Sequence, residues 1–157
     1  MNKRVFSIGL ALALSLTAGA QSSRTATVMT SVSPAEVARM LSGAGIASRV
    51  NNDTPPSLSF TTGTNTTQLY FLDCASGRCS TMTLSTGFDL DRAPTLASIN
   101  AWNRDHSFTF AYLDEENDPF LQYDLDLDGG VTSAAIVAWV KLYRGSLADF
   151  VKTFKLR

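Results

Sequence analysis

Three aspartates stand at alternate positions in the stretch DLDLDGGVTSAA: Asp124, Asp126 and Asp128, followed by Gly129 and Gly130. Oxygen ligands at the first, third and fifth places and glycine at the sixth are how a calcium-binding EF-hand loop begins. Val131 and Thr132 extend the match to the eighth and ninth places. The twelfth place, where a bidentate glutamate supplies two ligand oxygens, is Ala135. The approach is also wrong, because FLQYDLDLD alternates with period two and follows Pro119, which would break an entering helix. The spacing therefore predicts a strand, with Tyr123, Leu125 and Leu127 facing inward and the three carboxylates facing water. Asp128-Gly129-Gly130 then turns the chain, and Thr132 or Ser133 caps the next helix. No metal and no cofactor are expected on this reading, with a calcium-responsive module as an alternative.

The other residues able to do chemistry are few. Asp114, Glu115, Glu116 and Asp118 crowd the turn DEEND, whereas a glycosidase pair must face across a cleft. A hydrolase combining Asp114, Glu115 and Asp118 with the single histidine, His106, is the enzymatic alternative. No G-x-S-x-G elbow, phosphate loop or dinucleotide fingerprint occurs, so no catalytic residue is assigned and a non-enzyme is expected. Cys74 and Cys79 bracket ASGR between two alternating stretches, which places them on the paired ends of a hairpin with a four-residue loop. A disulfide there would contribute only about 2 kcal/mol by the loop-entropy model, enough to fix a register. The spacing is not the Cys-x-x-Cys of redox catalysis. In SINAWNRD, Asn100 and Asn103 lie three apart on a helix beside Ile99, with Trp102 as an apolar anchor. Asparagine is a mediocre helix former, so its amides should bond something fixed, either neighbouring strand ends or a ligand.

The elements that position these residues follow from periodicity. Ser33, Pro34 and Glu36 form a capping-box start for a helix with Val37, Met40, Leu41 and Ala44 on one face, ended by Gly43 and Gly45. Strands are expected at 46–51, 57–62, 67–73 and 80–88. A second helix follows Pro94 with Leu96, Ile99 and Trp102 or Asn103 as its inner stripe. SFTFAYLDEE alternates, with Phe108, Phe110 and Tyr112 on one face, and a final helix carries Ile136, Val140, Tyr143, Leu147, Phe150 and Phe154. Gly145 is expected to break or kink that helix, with Ser146 and Asp149 forming a fresh capping box. The class is α+β, with helices packed on an antiparallel sheet.

Residues 1–20 read as a secretory leader: Lys3 and Arg4, an apolar run from Val5 to Leu16, then Ala18 and Ala20 before the cut. A periplasmic or secreted location is expected, without membrane insertion after cleavage. Residues 21–32 are Ser/Thr-rich and read as a flexible tether or an added edge strand, and residues 33–157 as one domain. Removing Lys3 and Arg4 leaves eleven basic and fourteen acidic residues, a net of −3, which offers nothing to nucleic acid. A protein partner is expected instead, a different chain or a second copy in a homodimer. The acids concentrate in 114–128, while Lys141, Arg144, Lys152, Lys155 and Arg157 follow.

Three stretches together resemble the YbjN-like domain family over residues 33–154. They are the Cys74/Cys79 hairpin running into M-x-L-x-x-x-F, then L-x-x-I-N-x-W-N, then the hairpin ending Asp-Gly-Gly-Val. Ile99, Asn100, Trp102 and Asn103 form the most specific element. The resemblance implies a fold similar to type III secretion chaperones, in the order α-β-β-β-α-β-β-α. It also implies a regulatory or protein-binding role in bacterial sensory transduction, with no catalytic residues to carry over. An exported member with a hairpin disulfide departs from cytoplasmic relatives.

Overall fold

The computed structural model describes residues 26–90 and 92–156. The expected 1–20 leader, with its expected cut after Ala20, and residues 21–25 lie outside the described residues. The described residues open with a short strand, β1 (Val28–Met29), and a helix, α1 (Pro34–Gly43). Its start is the expected capping box: the Glu36 N–H donates to the Ser33 hydroxyl at 3.3 Å, and the Ser33 N–H donates to the Glu36 carboxylate at 2.8 Å. Four strands follow, β2 (Arg49–Asn51), β3 (Ser57–Thr62), β4 (Asn65–Ala75) and β5 (Arg78–Gly87). After α2 (Leu96–Asp105) come β6 (Phe110–Leu113), β7 (Pro119–Asp126), β8 (Val131–Thr132) and α3 (Ser133–Phe154). The class is the expected α+β, and the order follows the expected α-β-β-β-α-β-β-α roughly, with the short strands β1, β2 and β8 added. Residues 46–51 do yield a separate strand, trimmed to β2.

Six strands form one antiparallel sheet in the order β2-β3-β4-β5-β7-β6, and β1 pairs with β8 apart from it. Because side chains alternate across a strand, the register sorts the sheet into two sides. One side carries Leu58, Phe60, Leu69, Phe71, Met82, Leu84 and Leu121, all buried under the helices. There α3 contributes Ile136, Val140, Tyr143, Leu147 and Phe150, each fully buried. A polar chain crosses this apolar layer. The Tyr143 hydroxyl lies 2.9 Å from both Thr86 Oγ1 and the Leu121 carbonyl oxygen, and Thr86 Oγ1 lies 3.0 Å from Thr67 Oγ1. A carbonyl can only accept, so Tyr143 donates to Leu121, Thr86 to Tyr143 and Thr67 to Thr86. Four buried oxygens are thereby satisfied, and α3 is fixed in register against β4, β5 and β7. Burial pushes the Tyr143 phenol far above its ordinary range.

Three expectations are refined, the first by following the strand alternative for 21–32 over the tether. Within 21–32 the described part is tied down: Val28 and Met29 pair with Thr132 and Val131. Val32 exchanges backbone hydrogen bonds of 2.8 and 3.0 Å with Cys79 and is fully buried. Backbone pairing holds this segment, which composition alone does not reveal. Second, α3 runs unbroken through Gly145. An exposed helical glycine costs about 1 kcal/mol, less than the burial of Tyr143 and Leu147 on either side of it stabilises. Third, Leu96 is 66% exposed in the first turn of α2, which is held by Ile99 and Trp102 instead.

Candidate functional site

Cys74 and Cys79 form a disulfide and stand directly opposite each other near the tip of the β4–β5 hairpin. Ala75 pairs with Arg78, so the loop is only Ser76-Gly77 rather than the four residues between the cysteines. Both take positive φ, 52° and 77°, the geometry of a type I′ turn. Arg78 reaches from this tip to both Glu36 carboxylate oxygens, at 3.1 and 3.0 Å, and to the Ser31 carbonyl oxygen at 2.6 Å. The Ser33 N–H first, and Arg78 with it, holds the Glu36 carboxyl below its ordinary range. The cross-linked hairpin thus clasps the start of α1 and the segment before it.

The IN-x-WN residues separate into distinct duties. Ile99 and Trp102 are buried. The Trp102 ring meets Phe150 edge-on at 5.0 Å and stacks on His106 at 3.5 Å. Asn103 Nδ2 donates to the Ala111 carbonyl at 2.9 Å, while the Ala111 N–H donates to Asn103 Oδ1 at 2.7 Å. Since β6 pairs with β7 on its other side, these Ala111 groups face the free margin of the sheet. One side-chain amide occupies the place a further strand's peptide unit would take, sealing an edge that could otherwise recruit another chain. Asn100 is exposed and makes no side-chain hydrogen bond among the described residues.

The acidic residues do not converge with His106. Asp114 accepts from the N–H groups of Glu116 and Asp118 at 3.0 and 2.8 Å, and Asp118 accepts from the Leu90 N–H at 3.2 Å. His106 Nδ1 lies 3.1 Å from the Trp102 carbonyl oxygen. Among the described residues no hydrogen bond joins His106 to Asp114, Glu115 or Asp118. The alternation of β7 is as expected and carries on just past its end, with Leu127 buried and Asp124, Asp126 and Asp128 exposed. Asp124 accepts from Thr83 at 2.8 Å and from Gln122 at 3.0 Å, and Asp126 accepts from the Asp128 N–H at 2.8 Å. Thr132 supplies the cap for α3.

The second side of the sheet carries no helix among the described residues. Its register lines up Arg49, Ser59, Gln68, Ser85, Gln122 and Phe110 across all six strands. A neighbouring row runs Asn51, Ser57, Tyr70, Thr83 and Asp124. Toward the β6 margin the surface becomes aromatic. Tyr112 stacks on Phe120 at 5.3 Å with the rings only 10° apart, and Phe110 lies 6.2 Å from Tyr112. Phe120 rests over Gly87, where any Cβ would overlap its ring. Phe110 and Tyr112 stay 40% and 36% exposed. Burial, with the charges of Asp114 and Asp124 among the neighbours, pushes the Tyr112 phenol up, so it remains a neutral hydroxyl. Phe110 and Tyr112 were marked by the alternation of SFTFAYLDEE, but alternation gives the period without saying which side is bare. Such a surface can bind, and two of its hydroxyls, Thr83 and Ser57, donate to the Asp124 and Asp53 carboxylates at 2.8 Å.

Residues 33–156 match the family described as "YbjN: Putative bacterial sensory transduction regulator", and the chain belongs to that family. No curated protein matches it.

Proposed function

We propose that this YbjN-family chain is an exported, non-catalytic module that holds a protein partner against the bare side of its sheet. The observation that carries the reading is the Phe110–Tyr112–Phe120 stack, aromatic surface kept at the exposed margin of an otherwise hydroxyl- and amide-bearing face. Aromatic residues flanked by polar groups are the usual centre of a protein interface. The charged, apolar and small-residue order of positions 1–20 supports export, and the Cys74–Cys79 bond suits an oxidising compartment such as the periplasm. A regulatory duty is supported by the family, and a chaperone-like one by the order of helices and strands.

The test places a photoreactive residue at Tyr112 and irradiates the protein in periplasmic extract. One recurring protein adduct is expected, and purified adduct partner should bind Phe110→Ser at least about tenfold more weakly than the parent chain. Absence of any recurring adduct, or equal affinity of the variant, would retire the reading.

A further inference from the structure

On the helix side, α1 and α3 leave a groove of about 480 Å³ between them. Met40, Ala44, Ala134 and Val137 line it, and Arg39 and Lys141 stand at its rims. Two properties define what fits. Small residues on both walls (Gly43 and Ala44 on one, Ala134 and Ala138 on the other) let a further backbone come close. The rims are cationic, and among the described residues neither Arg39 nor Lys141 enters an ion pair. Further along α3 stand the exposed Asp149 and Lys152, of opposite sign, while seven acids lie between Asp114 and Asp128.

We infer that this groove is a second docking site, independent of the bare sheet side, for an acidic amphipathic helix of a partner protein. The wall from Ser133 to Lys141 is about 12 Å long at 1.5 Å per residue, enough for two turns of a third helix. The apolar stripe of that helix would lie on Met40 and Val137, with Asp or Glu beside the stripe meeting Arg39 and Lys141. An anionic bilayer is a poorer fit: the two rim cations fall short of the four to eight clustered basic residues that mark lipid headgroup binding. Charge is the selecting element, since the small side chains of the walls accept many aliphatic faces.

The experiment titrates the mature chain with three fluorescent amphipathic helical peptides sharing one leucine stripe, their flanks bearing Glu, Gln or Lys. The Glu peptide should bind at least about tenfold more tightly than the Gln peptide, and the Lys peptide should not bind measurably. Arg39→Glu with Lys141→Glu should reverse that order. Ala138→Trp, an exposed substitution that fills the groove, should abolish Glu-peptide binding with unchanged melting temperature. Equal binding of all three peptides, or an order untouched by the charge reversal, overturns the inference. So does binding to phosphatidylglycerol vesicles in place of the Glu peptide, or a sedimenting dimer that Ala138→Trp dissolves. None of these readouts involves Phe110 or Tyr112, so failure here leaves the sheet-side reading standing.

Discussion

The two sides of the six-stranded sheet are built from the same strands, read at alternate residues, and they spend their side chains differently. Under the helices, Leu58, Leu69, Leu84 and Phe71 are fully buried and the single polar chain, Thr67–Thr86–Tyr143–Leu121, is closed on itself. On the bare side Thr83 and Gln122 hydrogen-bond Asp124, and the rings of Phe110 and Tyr112 remain half-exposed. Substitution on the first side should therefore be read in stability, and on the second in binding.

The sharpest break of that comparison is Phe150→Ala. Phe150 is fully buried against Phe88, Trp102 and Phe154, and its loss should cost about 3–5 kcal/mol in chemical denaturation. Next comes Asn103→Ala, at the rim where the two sides meet. Losing both bonds to Ala111 should cost about 2 kcal/mol. It should also unseal the β6 margin, so light scattering should show concentration-dependent association absent from the parent. Tyr143→Phe should cost about 1 kcal/mol near neutral pH, since it removes the hydroxyl that links Thr86 to the Leu121 carbonyl. Its pH signature is more telling. The folded-state pKa of Tyr143 is raised, so its contribution is complete below the unfolded tyrosine value of about 10 and declines as pH climbs past it. The variant should show a shallower alkaline loss of melting temperature than the parent. The smallest stability effect belongs to the bare side: Tyr112→Ser should cost no more than about 1 kcal/mol, the scale of a cross-strand pair. A larger destabilisation would mean that Tyr112 is a core residue and the division between the sides is wrong.

How far these roles can be read from sequence depends on whether neighbours along the chain carry the signal. The capping box of α1 is written within four residues and is found as expected. The strand at 57–62 is bounded by turn chemistry on both flanks, and its limits coincide with β3. Asn103 was half-legible: two asparagines in one helix call for fixed partners, yet only the packing of α2 along β6 identifies Ala111. Asn100 bore the same local mark and bonds nothing among the described residues. The pairing of β1 has no local sign, because Val28 and Met29 lie in a polar stretch and gain their order from residues distant in sequence. The expected stripe of Phe108, Phe110 and Tyr112 holds only for the last two, with Ala111 buried beneath them; Phe108 precedes β6 with φ 75° and its ring lies 6.3 Å from Tyr123 of the helix-covered side.

The pairing of β1 with β8 has a kinetic consequence. Val28 meets Thr132, so a ribbon near the start of the chain waits for one near its end, and the loop between them spans most of the domain. Such a closure is slow and comes late, after the hairpins of the central meander have formed. A polypeptide emerging amino end first keeps its leading stretch unlatched, and open to handling by other factors, until nearly all of it has arrived.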